Sequence, residues 1–289
     1  MRKLATLAIS YDFDGTLAAG NMQERDFIPA IGMTTAKFWK EVHALSAEHE
    51  ADNILVYMRL MIEKAEAAQV TVRRADFMQY GKNLSFFDGI ESYDDVDGEN
   101  HLGWFDRINE YARQSGVQIE HYVISSGIRE MVEGSRISRY FKKVYASSYW
   151  YDHHGVAKWP ALALNYTTKT QYLFRINKGT LHVYDHDKIN DFVPHAERAI
   201  PFRNMIFVGD GETDIPCFRL VKDQGGHSIA VYQPGKRGAR VRSDKLMSEG
   251  RVNFATGADY REGAKLDRIV KGIIDKTATD AHLERMARA

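Results

Sequence analysis

Three apolar runs, at residues 4–11, 120–124 and 204–208, each stop in a short cluster of Asp, Gly or Ser. This arrangement constrains the fold of the chain more than any other feature. The first run shows no polar alternation, as expected of a strand covered on both faces of a parallel sheet. The stops of the three runs are Asp12-Phe13-Asp14-Gly15-Thr16-Leu17, then Ser125-Ser126-Gly127, then Gly209-Asp210-Gly211-Glu212-Thr213-Asp214. Helical patterns at 104–115, 128–140 and 215–222 alternate with the runs and with short strands expected at 143–145 and 228–231. Helix and strand in turn predict an α/β fold, a Rossmann-like parallel sheet with helices on both faces. In such sheets the ligand site lies just beyond the carboxyl ends of the strands, where these polar clusters fall.

Residues 18–93 interrupt the alternation. Thr34 or Thr35 can cap a helix through Glu48, and Asp52 another through Ala68. The second carries Ile54, Leu55, Met58, Met61, Ile62 and Ala65 as one apolar face. A third helix is expected over 74–81. The methionines, Met58, Met61 and Met78, read as core filling. The predicted organisation is therefore an α/β core from residues 1–17 and 94–289, ending in a helical tail, with a helical insertion at 18–93. In the tail, from Lys265 on, Leu266, Ile269, Val270 and Ile273 form a stripe that suits packing on the core, or a dimer.

The chain has 289 residues, with Lys plus Arg and Asp plus Glu both at 39, so its formal charge is zero. No global field draws it to nucleic acid or anionic lipid. No apolar run approaches the roughly 20 residues that cross a bilayer. Met1-Arg2-Lys3 and the apolar residues after it imitate a signal peptide, but the run is too short and Asp12 and Asp14 follow at once. The single cysteine, Cys217, excludes an internal disulfide, fits a cytoplasmic location and reads as inert core.

Asp12 and Asp14 leave one strand two residues apart, and Asp210 and Asp214 arrive from another. Clustered carboxylates repel at low dielectric unless a positive charge joins them. Mg²⁺ does this well, taking oxygen ligands and a substrate phosphate. Ser125 can hold phosphoryl oxygens by its hydroxyl, with Ser126 and Gly127 beside it. Lys169, in the polar run Thr167-Thr168-Lys169-Thr170 ahead of an apolar helix, can hold them by its ammonium. Such a set fits phosphoryl transfer, with two carboxylates able to divide the work of nucleophile and of acid and base.

The combination resembles the haloacid dehalogenase superfamily of phosphohydrolases. Asp12, Asp14, Thr16 and Leu17 match its first motif, Ser125 the second, Lys169 the third (Lys158 and Lys178 are rivals) and Asp210 with Asp214 the fourth. The resemblance covers about two thirds of the chain. It implies that Asp12 becomes an aspartyl phosphate and that Asp14 protonates the leaving alcohol, then activates water. It implies Mg²⁺ on Asp12, Asp14 through its main-chain carbonyl, and Asp210, with Asp214 binding the ion or its water shell. Ser125 and Lys169 would grip the phosphoryl group. An acid at Asp14 favours phosphate ester hydrolysis over dehalogenation. An insertion after the first motif is, in the family, a mobile cap that selects substrate; the spacing and the stretch from Tyr149 to Lys178 look most like the phosphoserine-phosphatase branch. Counted without gaps, Asn21 stands where those phosphatases place a glutamate, with Glu24 close by. Asn21, Gln23, Glu24 and Arg59 are the candidate substrate contacts.

The expected activity is thus hydrolysis of a small phosphorylated metabolite by a monomer or homodimer, without nucleic acid or membrane. Phosphotransfer to another alcohol and non-catalytic phosphate binding on the same scaffold are the alternatives. A signalling receiver domain is far shorter. The clusters Asp152, His153, His154 and His182, Asp185, His186, Asp187 read as exposed turns. The basic run Lys236, Arg237, Arg240, Arg242 is too short and too poor in aromatics for a nucleic-acid site.

Overall fold

A computed structural model describes residues 4–94 and 97–287. Residues 1–3, with the Met1-Arg2-Lys3 start, and 95–96 and 288–289 of the expected core lie outside the described residues. The first apolar run forms β1 (Ala5–Tyr11). Four helices follow, α1 (Phe27–Ala30), α2 (Thr35–Glu48), α3 (Asn53–Ala67) and α4 (Arg74–Lys82), then a small hairpin of β2 (Tyr93–Asp94) and β3 (Asn100–His101). The remainder runs α5 (Trp104–Gln114), β4 (Val117–Ile128), α6 (Arg129–Gly134), β5 (Phe141–Tyr151), β6 (Ala157–Leu162), α7 (Tyr166–Lys178), β7 (Met205–Gly209), α8 (Ile215–Asp223), β8 (His227–Tyr232), α9 (Ala239–Ser248), β9 (Phe254–Gly257) and α10 (Lys265–Met286).

The main sheet has the order β6-β5-β4-β1-β7-β8-β9. Its strands pair in parallel except β6, which lies antiparallel on β5 at the edge. Alternate residues feed two cores. Leu7, Ile9, Val123, Val208 and Ile229 face the side covered by the inserted helices, α5 and α10. Ala8, Ile124, Phe207 and Ala230 face α7 and α8. Burial on both faces explains why the first run lacks polar alternation. Around β1 the chain leaves one way to β4 and the other way to β7, so the ends of these three strands lie side by side at a topological switch point.

The expected helix starts hold. Thr34 Oγ1 accepts from the Lys37 amide at 3.3 Å, and Asp52 Oδ1 from those of Ile54 and Leu55 at 2.9 and 3.1 Å. Leu55 itself is exposed, not part of the apolar face, because one residue turns about 100° from buried Ile54. Met78 is exposed too, whereas Met58 and Met61 are buried. The inserted helices share one apolar cluster with the sheet rather than a core of their own. α4 lies directly on α6: a Cβ on Gly81 would sit 2.1 Å from the Met131 carbonyl oxygen, and one on Gly134 the same distance from that of Met78. The stripe of α10 packs on the core, with Leu266, Val270 and Ile273 buried.

Four expectations need correction. β4 does not stop at Ser125 but continues to Ile128 through an irregularity in its pairing with β5. The helix expected over 128–140 ends at Gly134, where backbone meets backbone and the chain turns extended at Ser135. The strand expected at 143–145 is eleven residues long. Lys169 lies inside α7, in its first turns, rather than ahead of the helix.

Candidate active site

Each strand end delivers one element of the site. Asp12 follows β1, and its amide donates to the Val208 carbonyl at 2.8 Å, locking it beside the end of β7. Its Oδ1 accepts from the Phe13 amide at 2.8 Å. Gly15 has φ +73°, and a Cβ there would fall 2.1 Å from Asp210 Oδ2, so only glycine lets the two loops close on one another. Asp12, Asp210 and Asp214 then present carboxylate oxygens all within 4.8 Å of one another.

Lys169 reaches this group from α7 with no exposed surface. Its Nζ lies 2.8 Å from Asp214 Oδ1, 3.3 Å from Asp12 Oδ1 and 3.4 Å from Thr213 Oγ1. Burial opposes the ammonium charge, but Asp12 and Asp214 together outweigh it and hold the lysine protonated. The rivals are elsewhere: Lys158 pairs with Asp152, and Lys178 donates to the carbonyls of Ile189 and Asp191. The other oxygen of Asp214, Oδ2, accepts from the Gly211 amide at 3.2 Å.

Burial, then repulsion from Asp214, lifts the Asp12 carboxyl to about 6 against the pull of Lys169. Asp210 reaches solvent but is hemmed in by protein atoms, and that desolvation, with Asp12 and Asp214, raises its proton affinity. One lysine thus leaves three clustered carboxylates under-compensated. Oxygen donors at this spacing, short of positive charge, fit a hard divalent cation such as Mg²⁺.

Asp14 stands apart from that triad. Its Oδ1 accepts from the Met22 amide at 2.9 Å, and burial followed by the charge of Asp12 raises its proton affinity well above that of a free carboxyl. Ser125 Oγ accepts from the Gly127 amide at 3.0 Å. The Ser126 carbonyl takes the Tyr57 hydroxyl at 2.6 Å, tying α3 to the end of β4, while Ser126 Oγ is buried without a partner.

Asp12, Asp14, Ser125 and Asp210 line a cleft of about 440 Å³ roofed by the inserted helices. Asn21, Gln23 and Glu24 line it as well. Glu24 is held by Asn21 Nδ2 at 2.7 Å and Trp39 Nε1 at 2.8 Å, and Gln23 is buried with its Oε1 unpartnered. Arg59 is not brought in: it projects to solvent and pairs with Glu63 on its own helix. Sequence reasoning missed Trp39, His43, Asn53 and Tyr57 on α2 and α3, whose contribution depends on how those helices dock. Lys236 and Arg242, read from the sequence only as part of a basic run, line it too. The Asp152 cluster is a turn closed on itself and on Lys158, and Cys217 is buried. No described helix is long and apolar enough to cross a membrane.

The family model for haloacid dehalogenase-like hydrolases matches residues 9–219. The chain belongs to that family. An uncharacterised protein of Borreliella burgdorferi is 29% identical over 287 residues, spanning 90% of this chain and 93% of its own. Among solved structures, a HAD family hydrolase of Salmonella enterica serovar Typhi aligns with TM-score 0.57 and 15% identity over 93% of this chain and 72% of that one. A substrate-bound phosphoserine phosphatase aligns with TM-score 0.51 and 15% identity over 93% and 99%. At such identity these two share the fold. The family assignment makes the protein an enzyme of the hydrolase class.

Proposed function

We propose that the protein is a Mg²⁺-dependent phosphomonoester hydrolase that acts on a small phosphorylated metabolite through an aspartyl phosphate on Asp12. The observation that carries this reading is a second carboxyl, Asp14, kept apart from the Asp12, Asp210 and Asp214 group yet facing the same cleft. A phosphate-binding module needs no such acid. Family membership and the fold shared with phosphoserine phosphatases support it.

A carboxylate oxygen of Asp12 attacks phosphorus and the ester P–O bond breaks. Asp14, whose site favours the protonated form, gives its proton to the departing oxygen. It then takes a proton from water, which attacks the phosphoryl group and frees Asp12 and inorganic phosphate. Lys169 holds Asp12 in place and, with Ser125 and the backbone around Gly127, offsets charge on the phosphoryl oxygens. Asp12, Asp210 and the Asp14 carbonyl, with Asp214 behind, would hold Mg²⁺, which would supply the remaining positive charge. The inserted helices act as the cap that sheds water, and Glu24 offers an acceptor to a donor on the leaving group.

Hydrolysis of phenyl phosphate with Mg²⁺ tests the reading. Asp12→Asn should fall to background and Asp14→Asn should lose about 10²–10⁴-fold in kcat. Rates equal to wild type in Asp12→Asn would refute it.

A further inference from the structure

Lys236 and Arg242 line the cleft from the segment after β8, on the sheet's own side rather than the inserted helices'. Neither side chain has a carboxylate or hydrogen-bond partner among the described residues, although both backbones are bonded. Their neighbour Arg240 behaves as a surface cation should, pairing with Asp244 at 3.4 Å, and it does not line the cleft. Arg242 folds back along its helix, so that its Nη1 lies 3.6 Å from where a Cβ on Gly238 would be. Lys236 is close enough to Asp210 for its charge to be felt there. Two cations without an ion pair in one wall leave a locally positive stretch facing the acids of the cleft.

We propose that Lys236 and Arg242 form a subsite for a second anionic group, so that the preferred substrate is a phosphate monoester whose leaving group bears a carboxylate or another phosphate. The inference rests on the hydrolase reading for which phosphate is the one cleaved. That phosphate would sit among Asp12, Ser125 and the cation, with Lys169 behind, so its charge is met there. The two cations line the same cleft, whose volume suits a leaving group of a few heavy atoms beyond the phosphate. Guanidinium and ammonium are the side chains that recognise such groups. The competing explanation, that the pair merely attracts all phosphate esters, predicts the same loss for every ester once the charges are removed.

The test compares phenyl phosphate, 2-phosphoglycolate and ethylene glycol bisphosphate as substrates of the wild type, of K236M/R242M and of R237M as a control cation outside the cleft. The wild type should prefer an ester with the second anion. K236M/R242M should lose about tenfold or more of that preference, mainly through KM, and R237M should keep it. Which of the two doubly anionic esters is favoured assigns carboxylate or phosphate. No preference in the wild type, or an equal loss on all esters, overturns the proposal. Calorimetric binding of 2-phosphoglycolate against methyl phosphate repeats the comparison without turnover. If nothing is hydrolysed the hydrolase reading fails, and the subsite then stands or falls on whether the double variant erases the binding preference.

Discussion

Lys169 shows how one buried cation can organise a site. It touches Asp12, Asp214 and Thr213 at once and has no solvent to fall back on. Removing one member of a buried ion pair leaves the other uncompensated, which costs about 3–5 kcal/mol. Lys169→Met should therefore lower stability by that order in chemical unfolding and abolish turnover as well, whereas a lysine serving only the phosphate would affect turnover alone. His121 is a buried group away from the site. The Trp104 indole donates to the Tyr11 hydroxyl, Tyr11 faces His121 Nδ1 at 3.2 Å, and Nε2 lies 3.1 Å from Asn109 Oδ1. A neutral ring satisfies this chain, accepting at Nδ1 and donating at Nε2, and burial holds its pKa near 3. The unfolded chain takes up the proton below about 6.5, so stability falls as pH drops from there to about 3. This residue contributes a slope of about 1.4 kcal/mol per pH unit. Unfolding of His121→Gln at several pH values should show the acid limb shallower by that amount, and an unchanged limb would contradict the assignment.

At the scale of elements, the α4–α6 contact joins insertion to core through two glycines. Gly81→Leu or Gly134→Val should each cost about 1–3 kcal/mol or more, because the carbonyls they meet belong to backbone and cannot swing away. Gly272, inside α10 with nothing within 4 Å of its missing Cβ, is the contrast: Gly272→Ala should stabilise by about 0.5–1 kcal/mol. Thermal melts of the three proteins read both signs. Legibility in the sequence followed the same division between local and tertiary causes. Thr34 and Asp52 announced their helices because a cap is decided within four residues. The strand exits at Asp12 and Asp210 were legible for the same reason. β6 was not, since Pro160 reads against a strand and is tolerated only because β6 is an edge. The length of α6 was hidden because its last residue, Gly134, sits against the Met78 backbone, far away in sequence. Glu24 lines the cleft although it stands out of register with the family's glutamate, a matter of how the loop after Gly20 folds.

For the whole molecule, the sheet order places the ends of β1, β4 and β7 together; Asp12, Asp14, Ser125 and Asp210 line the cleft there, with Asp214 and Lys169 buried against Asp12. A ligand that binds only the folded form stabilises it, by about 2.7 kcal/mol at a hundred times its Kd. Mg²⁺ should accordingly raise the melting temperature, and Asp210→Asn should remove most of that rise. The fate of Asp12 itself is the most direct measurement of the chemistry. The protein is mixed with phenyl phosphate and Mg²⁺, quenched in acid during turnover and digested for mass spectrometry. A phosphoryl group is expected on the peptide that carries Asp12, absent from Asp12→Asn; sustained turnover with that peptide unmodified, and undiminished in Asp12→Asn, would contradict an aspartyl phosphate.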